Sequence, residues 1–428
     1  MSISGYAIQA FSYQGSGIST STFRNIPISA CQDPLEMSSG PFNTELLIGI
    51  CFNDTKVGYQ GPKTQRGRIF MDIKITKCAP DKRKAKPADE SKLGFGQIFT
   101  DHMFTVKYET GKGWYEPVIG PYGPIILDPT AMSLHYGQEI FEGLKAYRGK
   151  DGSIYLFRPL ENIKRMNASA ERLCMPTIDP ELFMGAMKKL VLLEQDWIPR
   201  GAGTSLYIRP TMIATEPALG VHPANQYLFF IIVGPVGAYY PEGFSPTKIY
   251  VSEDYVRAVR GGVGNCKNAG NYAASLYASQ KAKDVGYTQV LWLDAIERKY
   301  VEEVGTSNAF FVFGDELLTP PLSGSILPGI TRHSIIQLAR SWGVKVTERA
   351  PAMSEIISGI VDGTVREAFA SGTAAIVSPI GQIFYQGKEH FINGGKTGTL
   401  TERLYNEILQ IQYGEKPDPF GWRLKISD

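Results

Sequence analysis

A stretch crowded with chain breakers divides this sequence into two blocks and so limits what it can fold into. Residues 234–246 contain three glycines and three prolines, and both residue types interrupt helices and strands. We therefore expect a first domain over 71–236, a linker over 237–246 and a second domain over 247–428. The length of 428 residues is also more typical of two domains than of one.

The first block mixes helical and strand patterns without strict alternation. Apolar residues recur at helical spacing after Pro159, in a segment that ends before Pro176, and again over 181–197. Strand patterns occupy 205–213 and 227–233. Such a mixture predicts an α+β domain.

The second block begins with a strand pattern at 248–252 that leads into a glycine-rich loop. A single helix is expected from about 272 to 284, where Gly286 ends it. Further strands and helices follow in mixed order. The strands are expected at 289–293, 299–302, 308–313, 344–349 and 367–370, and the helices near 332–342, 354 and 400–412.

Residues 1–70 differ from the rest of the chain. They are rich in serine, glycine, threonine and asparagine and show little hydrophobic periodicity. Because such a composition supports no packed core, we expect a flexible N-terminal extension. The stretch lacks a cationic start followed by an apolar core, so it does not resemble a secretory signal.

Composition excludes several classes of function. The formal net charge of +2 gives no reason to expect nucleic acid or an acidic membrane surface as a partner. The five cysteines are scattered, and no pair of them has the spacing of metal ligands. Free thiols indicate a reducing compartment, which we take to be the cytoplasm. No apolar run is long enough to cross a bilayer.

Lys267 is the main candidate for chemistry. It lies in a loop with four glycines among residues 261–270, where backbone turns tightly or approaches a ligand closely. Partial desolvation of a lone lysine amine favours its neutral, nucleophilic form. On this stretch alone, a surface lysine in a glycine-rich turn is the commoner case.

Four other features are individually weak but complementary. Glu303 ends an expected strand, the helix that starts near Thr331 offers free N–H groups, and the loop 371–374 offers more. Arg165 supplies a planar cation. Taken one at a time, these residues also fit a surface glutamate, a helix cap and a solvated helix charge. Together they provide the amine, the carboxylate and the phosphate donors that pyridoxal phosphate requires.

From about residue 90 to its end, the chain resembles the branched-chain amino acid aminotransferases of pyridoxal-phosphate fold type IV, in the class IV aminotransferase family. That resemblance implies a smaller N-terminal α/β domain and a larger C-terminal domain with a β-barrel-like core and helices. Seven motifs carry it in order: Phe99-Thr-Asp-His-Met103, Leu134-His-Tyr-Gly-Gln-Glu-Ile-Phe-Glu-Gly-Leu-Lys145, Thr204-Ser-Leu-Tyr-Ile-Arg-Pro210, Lys267-Asn-Ala-Gly-Asn-Tyr272, Glu302-Glu-Val-Gly-Thr306, Leu327-Pro-Gly-Ile-Thr-Arg332 and Ser371-Gly-Thr-Ala-Ala375.

The resemblance also implies roles for residues. Lys267 would carry pyridoxal 5′-phosphate covalently and move a proton between substrate and cofactor. Glu303 would pair with the pyridine nitrogen, Tyr272 would hydrogen-bond the phenolic oxygen, and Leu327 would pack on the ring. The phosphate would be held by Arg165, Thr306, Ile330, Thr331 and Thr373.

On the substrate side, the family places apolar and polar groups around the amino acid. The backbone N–H groups of Thr373 and Ala374 would receive its carboxylate, and Tyr207 and Arg209 share one face of a strand beside it. The remaining substrate contacts would come from Phe99, Tyr136, Phe141 and Tyr239. Lys145 and Arg257 are expected near the site, without an assigned role.

The implied reaction is transamination of L-leucine, L-isoleucine and L-valine with 2-oxoglutarate, giving branched-chain 2-oxo acids and L-glutamate by a ping-pong mechanism. The family also implies a homodimer in which a loop of the neighbouring chain completes the pocket. A D-amino-acid aminotransferase or an aminodeoxychorismate lyase would share the fold and the cofactor. A non-enzymatic protein with a structural Lys267 is the remaining alternative.

Removal of residues 1–70 is expected to leave folding and activity intact, because the motifs all lie beyond them and Met71 is the expected start of the folded part. Circular dichroism and transamination rates of the shortened and full chains would test this. Loss of either property on shortening would contradict it.

Overall fold

A computed structural model describes residues 71–237 and 244–427, which belong to one compact unit running from Thr64 to Asp428. Its helices are α1 Met132–Tyr136, α2 Pro159–Arg172, α3 Pro180–Leu193, α4 Ala269–Ala273, α5 Leu276–Asp284, α6 Ile330–Ser341, α7 Met353–Asp362 and α8 Thr399–Gln412. Short 3₁₀ helices lie at Pro80–Lys82, Glu90–Lys92, Gln195–Trp197 and Asn393–Gly395.

Strands of the described residues form two sheets. The first sheet contains β1 Lys74–Ile75, β2 His102–Glu109, β3 Gly113–Pro121, β4 Glu139–Phe141, β5 Leu144–Arg148, β6 Ile154–Phe157, β7 Ser205–Ala214, β8 Gln226–Val236 and β18 Arg423–Lys425. The second contains β9 Thr247–Ser252, β10 Gln289–Leu293, β11 Val301–Val304, β12 Ser307–Phe313, β13 Glu316–Thr319, β14 Lys345–Glu348, β15 Val365–Gly372, β16 Ile376–Tyr385 and β17 Lys388–Phe391.

The first sheet has the strand order β1-β3-β2-β8-β7-β5-β6-β18, with β4 also paired to β7. Its longest ladder joins β7 to β8, antiparallel from Ser205 opposite Val236 to Ala214 opposite Tyr227. Along β8, Phe229 and Ile231 are fully buried, whereas the alternating residues Phe230 and Ile232 are only partly buried. This alternation places one face of the sheet against α2 and α3, whose apolar sides complete the core.

The second sheet closes into a six-stranded barrel because β11 pairs with both β10 and β12. The ring runs β11-β10-β9-β16-β15-β12, and apolar side chains from all six strands meet in one cluster. Within β12, Phe311 belongs to that cluster, whereas Phe310 faces the other way. Phe310 stacks on Phe369 of β15, with ring centroids 4.9 Å apart, in a second cluster that α6 and α8 cover.

The fold class is confirmed as α+β with a β-barrel core. The single helix expected at 272–284 is wrong: the chain forms α4 and α5, separated at Ala274 and Ser275. The Ser275 hydroxyl donates to the Tyr272 carbonyl at 2.7 Å, and this side-chain bond competes with a continuous helix. Strand β18 also joins the first sheet, although its residues follow the barrel in sequence. The proposed domain boundaries stay a prediction.

The described residues contain neither a membrane-spanning helix nor a cluster of metal ligands. None of the helices there has the length and apolar character needed to cross a membrane. No group of three or more histidine, cysteine, aspartate or glutamate side chains in the same residues is arranged to hold a metal ion.

Phe369→Ala is expected to lower the free energy of unfolding by about 3–5 kcal/mol, because it empties a fully buried, stacked position. Phe391→Ala is the matched control, since that ring is 54% exposed, and it should cost about 0.5 kcal/mol. Midpoints of urea unfolding for the two variants measure the difference. Equal midpoints would contradict the assignment of Phe369 to the core.

Candidate active site

A cavity of about 430 Å³ is lined by residues of both sheets. The first sheet and its helices contribute one wall, and the loops of the barrel contribute the other. Polar and apolar groups are mixed around it. Its lining includes Phe95, Glu139, Phe141, Arg165, Tyr207, Arg209, Lys267, Tyr272, Glu303, Thr306, Asn308, Leu327, Ile330, Thr331, Thr373, Ala374 and Ala375.

The backbone of Lys267 is fixed by the first sheet and its helices. Its N–H donates to the Ser169 hydroxyl of α2 at 3.0 Å, and its carbonyl accepts from the Phe141 N–H of β4 at 3.0 Å. An antiparallel bridge between Ile140 and Asn268 continues this contact. Asn268 in turn caps α4 by accepting from the Asn271 N–H at 3.0 Å. The lysine side chain therefore starts from an immobilised backbone.

The Lys267 amine meets a phenol at the cavity wall. Its Nζ lies 2.7 Å from the Tyr272 hydroxyl and 5.0 Å from the centre of the Phe141 ring. Phe141 and Tyr272 pack edge to face, with centroids 4.8 Å apart. The amine thus lies between two aromatic rings and lines the cavity, with the Tyr272 hydroxyl as its hydrogen-bond partner among the described residues.

Glu303 is a buried carboxylate on β11. Asn308 Nδ2 donates to its Oε1 at 2.8 Å, and Arg257 Nε lies 2.5 Å from its Oε2. Burial raises the pKa of Glu303 to about 7, although the positive charge of Arg257 opposes that rise. Arg257 is itself held by the carbonyls of Gly264 and Ser325. The carboxylate is therefore oriented from both sides and borders the cavity.

The N-terminus of α6 and a nearby arginine form a site suited to an anion. The first-turn N–H groups of Ile330 and Thr331 have no partner within the helix and border the cavity. Arg165 Nη1 donates to the Pro328 carbonyl at 3.0 Å, just before that turn. Its Nε and Nη2 bind the two oxygens of Glu142 at 2.7 and 2.9 Å. Two of its five N–H groups remain for a ligand.

Glu142 fixes Arg165 at the price of full burial. Burial raises the pKa of the Glu142 carboxyl, but the charge and hydrogen bonds of Arg165 outweigh this and hold that pKa below its usual value. Asn162 Nδ2 also donates to this carboxylate, at 2.8 Å. The ionised pair therefore presents the guanidinium in one orientation.

A short turn between β15 and β16 supplies further donors. The N–H groups of Thr373, Ala374 and Ala375 donate to no acceptor among the described residues, and all three residues line the cavity. The cavity lining also contains Tyr207 and Arg209, which are joined by a 3.1 Å hydrogen bond. Backbone donors and aromatic rings thus border the same space.

Most of the predicted site residues are brought together here. The cavity is lined by the predicted residues Arg165, Lys267, Tyr272, Glu303, Thr306, Leu327, Ile330, Thr331, Thr373, Phe141, Tyr207, Arg209 and Ala374. Phe99 and Tyr136 do not line it in the single chain: Phe99 stacks on Tyr122, and the Tyr136 hydroxyl donates to the Leu219 carbonyl. Tyr239 lies outside the described residues. The roles of all these residues stay predictions.

Sequence reasoning missed several residues that position the site. Glu142 and Asn308 orient Arg165 and Glu303, and Phe95 packs edge to face on Tyr207 with centroids 4.9 Å apart. The sequence motifs assign no role to Arg257, which pairs with Glu303 in the structure. The only available signal was that Glu142 and Asn308 lie within or beside the recognised motifs.

Replacement of Glu303 by glutamine should make the stability of the ligand-free protein less dependent on pH. The native carboxyl keeps its proton up to a pH of about 7, whereas the unfolded chain loses it near 4.5. The wild type should therefore lose up to about 3 kcal/mol relative to Glu303→Gln as the pH rises from 4.5 to 8. Urea unfolding of both proteins across that range measures the difference, and a constant difference would contradict the raised pKa.

Comparison with known proteins places the chain in a family. The description "Amino-transferase class IV" applies to the family that matches residues 139–383. "Branched-chain-amino-acid transaminase 1" of Bacillus subtilis (strain 168) is 54% identical over 344 residues, which are 80% of this chain and 96% of that protein. "Branched-chain-amino-acid aminotransferase 2" of the same organism is 52% identical over 345 residues, covering 81% and 95%.

Solved structures agree with the sequence relatives. The branched-chain amino acid aminotransferase from Escherichia coli superposes with a TM-score of 0.62 at 27% identity, covering 77% of this chain and 99% of that one. The enzyme from Thermobaculum terrenum, in its PLP-form (holo-form), gives 0.63 at 25% identity, covering 78% and 100%. The chain therefore belongs to the class IV aminotransferases, and within them to the branched-chain amino acid aminotransferases of fold type IV.

Proposed function

We propose that the chain transfers the amino group of L-leucine, L-isoleucine and L-valine to 2-oxoglutarate by a ping-pong mechanism that uses pyridoxal 5′-phosphate bound through Lys267. The observation that carries this proposal is that one cavity is lined by the Lys267 amine, the buried Glu303 carboxylate and the donors at the start of α6. The PLP-form of the Thermobaculum terrenum enzyme supports the same cofactor.

The donor set fits this cofactor. Arg165, Thr306, Ile330, Thr331 and Thr373 would hold the phosphate, since they combine two free guanidinium N–H groups with hydroxyl and backbone donors at a helix N-terminus. Glu303 would bind the pyridine nitrogen, and Tyr272 the phenolic oxygen. Leu327 borders the same cavity and would cover one face of the ring.

The neighbours of Glu303 hold its carboxylate in one orientation. An ionised carboxylate at the pyridine nitrogen would keep that nitrogen protonated. The attraction between the carboxylate and the cationic ring is stronger in a buried site than in water. Arg257 and Asn308 prevent Glu303 from turning away, through contacts of 2.5 and 2.8 Å. Bound cofactor would place a positive charge beside Glu303 and so favour its ionised form.

Proton transfer is the task of Lys267. When bound, the cofactor supplies an electron sink that stabilises negative charge at the substrate Cα. The Lys267 amine would be the base that takes up the proton from the substrate Cα and later returns it. The Tyr272 hydroxyl, 2.7 Å from Nζ, holds the amine on that side of the cavity. The second half-reaction uses the same groups in reverse with 2-oxoglutarate.

Substrate preference follows from the wall that faces Lys267. Phe95, Phe141 and Tyr207 present ring surface to the cavity, and each buried methylene contributes about 0.8 kcal/mol. Such a wall favours leucine, isoleucine and valine over alanine but separates the three only weakly. Arg209, stacked 4.7 Å from the centre of the Phe141 ring, would receive the distal carboxylate of glutamate. The homodimer stays a prediction.

Lys267→Ala should abolish both transamination and covalent attachment of the cofactor, because it removes the amine that serves as attachment point and base. We expect a rate reduction of at least about a thousandfold. The measurements are transamination of L-leucine with 2-oxoglutarate, and mass spectrometry after borohydride reduction in the presence of pyridoxal phosphate. Lys281→Ala is the matched control, since that lysine lies on α5 and does not line the cavity.

Three outcomes would overturn the proposal. Borohydride labelling that persists in Lys267→Ala would place the attachment at another lysine. A wild type that turns over D-leucine faster than L-leucine would favour a D-amino-acid aminotransferase, and release of pyruvate from aminodeoxychorismate would favour the lyase.

A further inference from the structure

A buried lysine behind the cavity has no acidic partner among the described residues. Lys145 on β5 is 4% exposed, and its only polar contact in that part of the chain is a 2.8 Å hydrogen bond from Nζ to the Ala374 carbonyl. Burial alone lowers the pKa of Lys145 to about 7. An ammonium in such surroundings destabilises the fold unless an anion comes close. Because this buried charge destabilises the fold, we expect it to stabilise a bound anion.

The turn that Lys145 contacts is itself unusual. Within the described residues, Thr373, Ala374 and Ala375 have unpartnered N–H groups on the cavity, and Ile376 next to them has a φ of 63°. That left-handed conformation is strained for a β-branched residue and persists only where the surroundings hold it. The hydrogen bond from Lys145 is one contact that holds this turn.

The peptide between Ala374 and Ala375 connects the lysine to the cavity. In a trans peptide, the carbonyl and the N–H point to opposite sides. Because the Ala374 carbonyl points to Lys145, the Ala375 N–H points away from it. Ala375 lines the cavity and Lys145 does not, so the lysine acts from behind the turn.

Strand pairing fixes where the Lys145 side chain begins. Lys145 lies opposite Tyr207 in the antiparallel ladder of β5 and β7, so both side chains leave the same face of the sheet. Tyr207 lines the cavity, and Lys145 reaches the turn beside it. The lysine is thus anchored by a rigid element rather than by a loop.

We propose that Lys145 is a positioning residue that makes the cavity selective for carboxylates: it holds the Ala374–Ala375 peptide of the 373–375 turn and adds a positive charge behind that turn, where the Thr373 and Ala374 N–H groups would receive the substrate α-carboxylate. This inference rests on the proposed function, which places the α-carboxylate at that turn. The charge stabilises a bound anion and does nothing comparable for a neutral ligand of the same shape.

The test compares two ligands of matched shape on the holoenzyme by isothermal titration calorimetry: 4-methylpentanoate, which carries a carboxylate, and 4-methylpentanamide, which is neutral. Lys145→Met should weaken binding of 4-methylpentanoate about tenfold, the order expected for removing a partly screened charge near a buried anion. Binding of 4-methylpentanamide should change less than about twofold. Lys107→Met, on the exposed side of β2, is the matched control for loss of a lysine.

A second variant separates charge from packing and covers the case in which Lys145→Met does not fold. Lys145→Gln keeps a donor for the Ala374 carbonyl but removes the charge, and it should lower the ratio of acid to amide affinity in the same way. Equal weakening of both ligands, or an unchanged ratio in the folded variant, would overturn the proposal. A wild type that binds neither ligand would instead refute the proposed function, and this inference with it.

Discussion

Two hydrogen bonds to the backbone of Lys267 determine how the rest of the site is arranged. One joins Ser169 of α2, and the other joins Phe141 of strand β4, to the loop that leads into α4. A lysine side chain is long and flexible, so its amine is placed well only if its backbone is immobile. Because the same contacts link the two sheets, the walls of the cavity and the position of the amine are set together.

Three buried cations around the cavity, all within the described residues, are stabilised in three different ways. Arg165 forms a bidentate pair with Glu142, which keeps both groups ionised and leaves donors for a ligand. Arg257 pairs with Glu303, and in this pair the cation orients the acid that borders the cavity. Lys145 donates a hydrogen bond to the Ala374 carbonyl and has no acidic partner among the described residues. Of these three, the lysine alone gains a full electrostatic partner when an anionic substrate enters, which is why its charge is the one linked to substrate choice.

The sequence allowed the barrel domain to be anticipated only in part. Local patterns located α6 and α8 to within a few residues, and the seven motifs named most of the cavity lining. Strand β16 was missed because Pro379 and Gly381 interrupt its pattern. The pairing with β9 shifts register between Ile380 and Gln382, and a side chain at Gly381 would collide with Pro246. Periodicity assigns no role to Arg257, because its acidic partner Glu303 lies far away in sequence.

Strand β18 has a consequence for how the protein is made. It pairs with β6, and the Ile154 N–H donates to the Ser427 hydroxyl, 273 residues further along the chain. Translation adds about 5–20 residues each second, so β18 is synthesised tens of seconds after β6. Throughout that time β6 offers unpaired backbone groups to other nascent chains. The topology therefore leaves this edge of the first sheet incomplete until the last residues have been synthesised.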